Sequence, residues 1–219
     1  MAIRRAVWGP GVRDRDTAID YVNELLGEEL AASEHRLRVI DLGCGVGGSM
    51  IYLANRINAE FRGVTISGVQ ARLGRSFVAE RGLENITVDE GDFTSDEYWE
   101  SVRDAGPFDV AFAVESMIHI PDLLGRLPLI AENLAPGARL VIVDDMITRV
   151  GARRYPARRE QRWLDEFERG WFAHGLVSLD QLVAAAAGAG LVLCEARDLT
   201  SYLELDRPRD LLARALMSG

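Results

Sequence analysis

The chain of 219 residues is poor in several residue types. It has no lysine, two cysteines and three histidines, and no apolar run long enough to cross a membrane. Cys44 lies in a glycine-rich loop and Cys194 in an apolar run, so we predict two buried thiols, with no disulfide framework and no metal site. Nothing in the sequence resembles a signal peptide, which predicts a cytoplasmic location.

Positive charge is also in short supply. Asp and Glu outnumber the basic residues by 34 to 25, which gives a net charge of −9, and every basic residue other than histidine is arginine. Because binding to a phosphate backbone needs a basic face, this balance excludes DNA or RNA as the expected substrate. We predict a small-molecule partner, with no nucleic acid and no membrane; whether the chain forms a homo-oligomer is left open.

The hydrophobic pattern predicts a single α/β domain over residues 1–219. Apolar strand-like runs alternate with helical stripes, which predicts a doubly wound, mostly parallel sheet with helices on both faces. Residues 1–16 show no periodicity and are predicted to be a loose arm. They belong to a short helical cap of about 1–35, and residues of about 146–175 are predicted to be an insertion. The predicted helices are 17–32, 48–57, 68–82, 95–103, 122–134, 178–189 and 207–217, and the predicted strands are 37–42, 60–66, 85–89, 108–114, 138–144 and 191–197.

Four residues at alternate positions mark the end of the first predicted strand: Asp41, Gly43, Gly45 and Gly47. Glycine allows positive φ and a close approach of a ligand to the backbone. We interpret the loop by its alternate positions and not as a G-x-G-x-x-G seat for a pyrophosphate, because the carboxylate of Asp41 opposes an anion but suits a cation. The loop therefore predicts a seat for a cationic nucleoside without phosphate; a glycine-rich turn with no ligand is the alternative.

This stretch resembles motif I of the class I S-adenosylmethionine (SAM) methyltransferases. The resemblance implies a Rossmann-like fold and a SAM cofactor, which leaves as S-adenosylhomocysteine (SAH). It also implies that the glycine loop passes under the amino-acid end and the ribose of SAM. The fold of this family normally has a seventh strand, inserted antiparallel between the fifth and sixth, and no convincing candidate for it follows Asp206.

The second predicted strand ends near Thr65, Ser67 and Gln70, at the sheet edge where ligands of α/β proteins bind. Their neutral oxygens suit ribose hydroxyls, and the alternative is that they cap the next helix. The stretch 63–70 resembles one small-molecule branch of the methyltransferases, which contains tocopherol-like, sterol and prenyl C-methyltransferases and some sugar O-methyltransferases. In the family element that Gly91-Asp92-Phe93 resembles, the aspartate accepts from the adenine amino group and the next residue flanks the ring. An exposed acidic turn is the alternative for Asp92.

The fourth predicted strand leads into Glu115, Ser116 and His119, at the edge where the methyl group of SAM is expected to point. In the same branch the corresponding stretch lines the acceptor pocket, and its acid serves as a base or stabilises a carbocation. Glu115 and His119 are therefore the catalytic candidates, and Ser116 is a candidate for binding the acceptor. A structural role is the alternative for both catalytic candidates, as a core or helix-cap residue in the case of His119.

The predicted insertion is rich in aromatic and arginine side chains. Trp163, Phe167 and Trp171 lie four residues apart on one helical face, where they either wall an apolar acceptor or dock the helix on the core. The arginines either bind a carboxylate or diphosphate or form a solvated face that pairs with nearby acids. They are Arg149, Arg153, Arg154, Arg158, Arg159 and Arg162.

Together these motifs predict a SAM-dependent methyltransferase that acts on a small molecule in secondary metabolism. C-methylation of a prenyl or terpenoid acceptor is favoured over O-methylation of a sugar or phenolic hydroxyl. A SAM-binding scaffold or regulatory subunit that transfers no methyl group is an alternative of another kind. A third hypothesis is polyamine synthesis from decarboxylated SAM on the same fold.

Overall fold

The computed structural model describes residues 5–31, 33, 35–147 and 157–204. The strands are β1 (Leu37–Leu42), β2 (Ala59–Thr65), β3 (Ile86–Glu90), β4 (Phe108–Val114) and β5 (Leu134–Val143). The α-helices are α1 (Arg15–Ala31), α2 (Gly48–Leu53), α3 (Gly68–Glu80), α4 (Asp96–Ser101), α5 (Leu123–Glu132), α6 (Ala157–Trp171) and α7 (Leu179–Gly188). Three short 3₁₀ helices cover Arg103–Ala105, Met117–His119 and Thr200–Tyr202.

The five strands form one sheet in the order β3-β2-β1-β4-β5, and every neighbouring pair is parallel. Successive side chains of a strand point to opposite faces, so Val39 of β1 enters one core and Ile40 the other. Helices α1, α2 and α3 cover the first face, and α4, α5 and α7 cover the second. Burial on both faces explains the nearly continuous apolar runs of β1 and β4. The predicted α/β fold is confirmed.

Element boundaries agree closely in the centre of the sheet, where β1 and β4 begin and end as predicted. The largest difference among the strands is at β5, which begins at Leu134 and not at residue 138. Phe108 lies opposite Leu134 and Val110 opposite Arg139, so β5 bulges between these pairs. Pro136 and Gly137 fall in this bulge. The missing N–H of Pro136 and the positive φ of Gly137 therefore interrupt no regular hydrogen-bond ladder.

The predicted strand 191–197 is wrong, because this stretch has no regular secondary structure. Val192 is 84% exposed and Leu193 51% exposed, and Cys194 is an exposed thiol and not the predicted buried one. A strand needs a neighbouring strand to satisfy its backbone N–H and C=O groups. Residues 191–197 do not pair with the edge strand β5, which among the described residues pairs only with β4. The predicted helix 207–217 lies outside the described residues.

The N-terminal arm is not loose over its described part. Val7 is 5% exposed, its amide donates to the carbonyl of Ala18 at 2.8 Å, and it forms an antiparallel bridge with Leu203. The amide of Trp8 donates to the carbonyl of Tyr202 at 2.7 Å. A buried valine and these backbone hydrogen bonds therefore anchor the arm, and the prediction missed them because residues 202 and 203 are distant in sequence. The division into a cap of 1–35 and an insertion of 146–175 stays a prediction.

Candidate active site

The glycine loop connects β1 to α2 in a conformation that side chains resist. Gly43, Gly45 and Gly47 have φ values of 87°, 57° and 78°, in the left-handed region that favours glycine. The amides of Gly43 and Cys44 both donate to the carbonyl of Val64, at 3.0 and 2.9 Å, which ties the loop to β2. The carboxylate of Asp41 is buried at the end of β1, with 3% exposure. A Cβ added to Gly45 would meet no atom within 4 Å, so the loop leaves backbone open to a ligand beside a buried carboxylate, as a cationic nucleoside requires.

Ser116 packs directly on this loop. A Cβ atom added to Gly43 would lie 2.5 Å from the Cβ of Ser116, and the hydroxyl of Ser116 donates to the carbonyl of Leu42 at 2.6 Å. The segment after β4 therefore contacts the segment after β1, as neighbouring parallel strands allow. A candidate acceptor-binding residue and a candidate cofactor residue therefore meet at this contact.

The predicted ribose contacts Thr65, Ser67 and Gln70 form one hydrogen-bonded group. The Thr65 hydroxyl donates to Gln70 Oε1 at 2.9 Å, and the Ser67 amide donates to the Thr65 hydroxyl at 3.3 Å. The Ser67 hydroxyl accepts from the Gln70 amide, so Ser67 caps α3. The capping interpretation is confirmed for Ser67, and a role toward ribose is compatible with it because this group lies at the carboxyl edge of the sheet.

The two predicted adenine residues have different surroundings. Asp92 is exposed, and its Oδ1 accepts from the amide and the hydroxyl of Thr94, at 2.8 and 2.6 Å. Phe93 is 6% exposed and belongs to the second core, beside Trp99, whose indole N–H donates to the carbonyl of Phe93. Asp92 thus keeps one carboxylate oxygen toward the outside, whereas the ring of Phe93 is committed to the core.

Glu115 follows β4 with a strained backbone. Its φ is 52°, which is uncommon for a residue other than glycine, and its amide donates to the carbonyl of Val143 at 2.9 Å. Strained backbone of this kind persists where the surroundings fix it, often at functional sites. The conformation sets the direction of a half-buried carboxylate at the carboxyl edge of the sheet.

Asp144 holds the next turn in place. Its Oδ2 accepts from the amides of Met117 and Ile118, at 2.8 and 3.2 Å, and its Oδ1 accepts from the amide of Asp145. Burial raises the pKa of Asp144, although these three N–H groups act in the opposite direction. The 3₁₀ turn that carries His119 is therefore held by the residue after β5 as well as by β4.

His119 is exposed and turns toward the end of α6. Its Nδ1 lies 3.1 Å from the carbonyl oxygen of Phe172. Because a carbonyl only accepts, Nδ1 carries the proton in this hydrogen bond. Ser116 and His119 therefore have different positions: Ser116 contacts the glycine loop, whereas His119 joins its turn to the segment after α6.

The aromatic stripe of α6 is not a buried core. Trp163 is 41% exposed and Trp171 is 54% exposed, while Phe167 is half-buried with its ring centroid 6.3 Å from that of Trp171. Docking on the core, one of the two predicted alternatives, therefore does not account for the tryptophans. Arg162 pairs with Glu166 at 2.8 Å, as in a solvated helical face, and Arg149, Arg153 and Arg154 lie outside the described residues.

A cleft of about 480 Å³ opens at the end of α6, lined by Asp165, Glu168, Arg169, Phe172 and His174. No residue of the glycine loop lines it. Within the ranges that the structure describes, no cluster of His, Cys, Asp or Glu side chains has an arrangement that could hold a metal ion. None of the described helices combines the length and the apolarity needed to span a membrane.

Three residues near the site were not predicted. Ile66, beside Thr65, is 77% exposed. The sequence pattern that could have identified it is an apolar residue between polar neighbours at the end of a strand. Asp144 and Asp145 carry a similar signal, because two carboxylates follow β5 at the edge where ligands bind.

The side chain of Cys44 packs against β2, where a Cβ added to Gly63 would lie 2.7 Å from the Cβ of Cys44. Burial raises the pKa of the Cys44 thiol, and the nearby charges of Asp41 and Asp89 raise it further. We therefore expect a thiol reagent to modify the exposed Cys194 quickly and Cys44 only after unfolding, as counted by mass spectrometry. Equal rates for the two thiols in the native protein would contradict the burial of Cys44.

The parallel sheet, the glycine loop after β1 and the acidic segment after β4 define the class I methyltransferase fold. Residues 13–196 match the family model described as "Methyltransferase domain", and the chain belongs to this family. SAM is the methyl donor of class I methyltransferases.

Among curated relatives, a "Probable tocopherol O-methyltransferase, chloroplastic" of Oryza sativa subsp. japonica is 41% identical over 106 residues. The match covers 48% of this chain and 28% of that protein. The chain spans less than two thirds of this relative and of the other curated relatives it matches. The name of this rice protein describes a methyltransferase that acts on oxygen, whereas the sequence resemblance groups tocopherol-like enzymes with C-methyltransferases.

Solved structures with the same fold have low sequence identity to the chain. The cyclopropane synthase MmaA2 of Mycobacterium tuberculosis has a TM-score of 0.78 and 19% identity, with 99% of this chain and 75% of that chain covered. The geranyl diphosphate C-methyltransferase of Streptomyces coelicolor A3(2), solved with Mg²⁺, geranyl diphosphate and SAH, has a TM-score of 0.69 and 18% identity, with 93% and 78% covered. These similarities show the fold.

Proposed function

We propose that this chain transfers the methyl group of SAM to a small molecule. The contact of Ser116 with Gly43 supports the proposal most directly, because it brings the residue next to Glu115 against the loop that we propose as the cofactor seat. The residues fit SAM: positive-φ glycines open the backbone to a ligand, and the buried carboxylate of Asp41 suits the amino group or the sulfonium. Thr65, Ser67 and Gln70 would hold the ribose.

SAM supplies an electrophilic methyl group on a positively charged sulfur. The protein's part is to hold an acceptor atom in line with that group and to exclude water, which contributes more than proton transfer. Fixed through Val143, Asp144 and Ser116, the segment after β4 is rigid enough to position an acceptor. The carboxylate of Glu115 is the group that would meet charge developing on the acceptor.

We favour a carbon acceptor of prenyl type. When an alkene carbon gains the methyl group, a carbocation forms on the acceptor, and loss of a proton to the Glu115 carboxylate restores the double bond. The exposed side chains of Trp163 and Trp171 on α6 suit an apolar chain, with one face of each ring lying against a guanidinium, that of Arg159 and that of Arg5. The similarity in fold to a geranyl diphosphate C-methyltransferase supports this acceptor class.

A phenolic hydroxyl is the second candidate, because the rice relative is named as an O-methyltransferase. For a hydroxyl acceptor His119 would be the candidate base beside Glu115, because the hydrogen bond from its Nδ1 to the Phe172 carbonyl leaves Nε2 able to accept a proton. Its exposed side chain lies in a less dry position than the half-buried Glu115, which favours carbon. The place in secondary metabolism and the cytoplasmic location remain predictions, and the name of the rice relative includes "chloroplastic".

An acceptor panel with methyl-labelled SAM tests the proposal. The panel contains geranyl diphosphate as a prenyl acceptor and a chromanol phenol as an oxygen acceptor, and mass spectrometry locates the new methyl group. We expect a product methylated at carbon. Methylation of the phenol alone would overturn the choice of carbon. SAH binding with no turnover on any acceptor would favour the scaffold alternative, and a protein that binds neither SAM nor SAH would sink the cofactor assignment.

A further inference from the structure

Arg5 joins the ends of two neighbouring strands, although it is 110 residues from Glu115 and 140 from Asp145. Its Nη1 donates to Asp145 Oδ1 at 2.7 Å, and its Nη2 pairs with Asp145 Oδ2. Its backbone amide lies 3.4 Å from Glu115 Oε1. The same guanidinium lies over the ring of Trp171, 5.5 Å from its centroid. One residue thus contacts the ends of β4 and β5 and the last turn of α6.

The charge of Arg5 suits this position. Burial lowers the pKa of Arg5, but its hydrogen bonds with Asp145 and the negative charges of Asp145, Glu115 and Asp144 outweigh burial and raise the pKa overall. The paired side chains are 32% and 30% exposed, so solvent screens the attraction. A forked guanidinium on a carboxylate fixes direction more than it adds stability. The Arg5–Asp145 pair is therefore suited to hold the N-terminal arm in a fixed orientation against the end of β5.

Both ends of this contact are anchored independently. The arm is held at Val7 and Trp8 by α1 and by the turn near Tyr202. Glu115 is held in its strained conformation by the carbonyl of Val143. The backbone amide of Arg5 therefore faces Glu115 from an anchored arm, while its guanidinium extends to Asp145.

We propose that Arg5 is a positioning residue, which ties Glu115, Asp145 and Trp171 together along one wall of the acceptor space. This inference rests on the proposed function. Arg5 has no contact with the glycine loop among the described hydrogen bonds, so it acts on the acceptor side. Its loss lowers turnover and leaves the SAM site as it is.

The test compares Arg5→Gln, Arg5→Lys and Asp145→Asn. We expect kcat to fall about tenfold in Arg5→Gln and in Asp145→Asn, with the Kd for SAH changed less than about twofold. Arg5→Lys keeps the charge but loses the fork, and restores part of the rate. The double variant Arg5→Gln with Asp145→Asn is expected to be no slower than either single variant, since both remove the same interaction. Arg197→Gln is the matched control, because the exposed Arg197 also pairs with carboxylates, those of Glu195 and Glu29, outside the segment after β4.

A second readout does not need turnover. Hydrogen exchange measured by mass spectrometry should quicken in Arg5→Gln over residues 5–14 and 113–119, and stay unchanged in β2. Unchanged exchange over 113–119 would overturn the link between Arg5 and Glu115. Faster exchange with an unaltered kcat would overturn the positioning role. If the wild type methylates no acceptor, the proposed function fails, and the exchange experiment alone decides whether Arg5 fixes Glu115.

Discussion

Replacing Gly43 with alanine is expected to weaken SAH binding at least about 100-fold, as measured by titration calorimetry. The new Cβ would lie 2.5 Å from the Cβ of Ser116 and 2.9 Å from its hydroxyl oxygen. Ser116 cannot turn away without losing its hydrogen bond to Leu42, and a φ of 87° is itself unfavourable for alanine. The loop must therefore move, and with it the backbone that seats the cofactor.

Gly82→Ala is the matched control. Gly82 has a φ of 62° at the end of α3, but no atom lies within 4 Å of its added Cβ. The two variants share the backbone strain, which costs about 1 kcal/mol, and differ in the clash with Ser116. Gly82→Ala should bind SAH like the wild type. A folded Gly43→Ala protein that binds SAH with wild-type affinity would contradict the role of the loop.

The second large effect is expected at Glu115. Glu115→Gln keeps the size of the side chain and an oxygen that can accept from the amide of Arg5, but removes the negative charge. We expect kcat on the acceptor found by the panel to fall about 100-fold or more, since a positioned acid or base contributes this much. The Kd for SAH should change less than about threefold, because Glu115 contacts the cofactor loop only through its neighbour Ser116.

Glu60→Gln is the control for Glu115→Gln. Glu60 is an exposed residue of β2 that pairs with Arg36 at 3.3 Å, so the same substitution there removes a charge far from the segment after β4. Its kcat and its Kd for SAH should equal those of the wild type. If Glu115→Gln keeps full activity, the carboxylate is structural and the acceptor must be activated by another group.

The centre of the fold was predictable because its signals are local. Strands β1 and β4 are buried on both faces, and an apolar run bounded by breakers identifies such a strand without knowledge of its partners. The stretch 191–197 shows the limit of this argument. Its residues are as apolar as those of a strand, yet Val192 and Leu193 are exposed, because strand formation also depends on a neighbour that the local pattern does not reveal.

The candidate site was predictable where glycine or a strand end marks it. Alternate glycines permit a loop with positive φ, and all three glycines have it in the structure. The positive φ of Glu115, the two amides held by Asp144 and the contact of Arg5 with Asp145 were not predictable. These features depend on residues far apart in sequence that the fold brings together, and no periodicity records them.

The most direct test of the account is a crystal structure of the protein with SAH. We predict that the homocysteine end lies over Gly43 and Gly45, that the ribose lies within hydrogen-bonding distance of the Thr65 to Gln70 group, and that the sulfur faces Glu115. The space beyond the sulfur should be bounded by Arg5 and Trp171. SAH bound in the cleft beside Arg169 and Phe172, or a sulfur directed away from Glu115, would contradict the account.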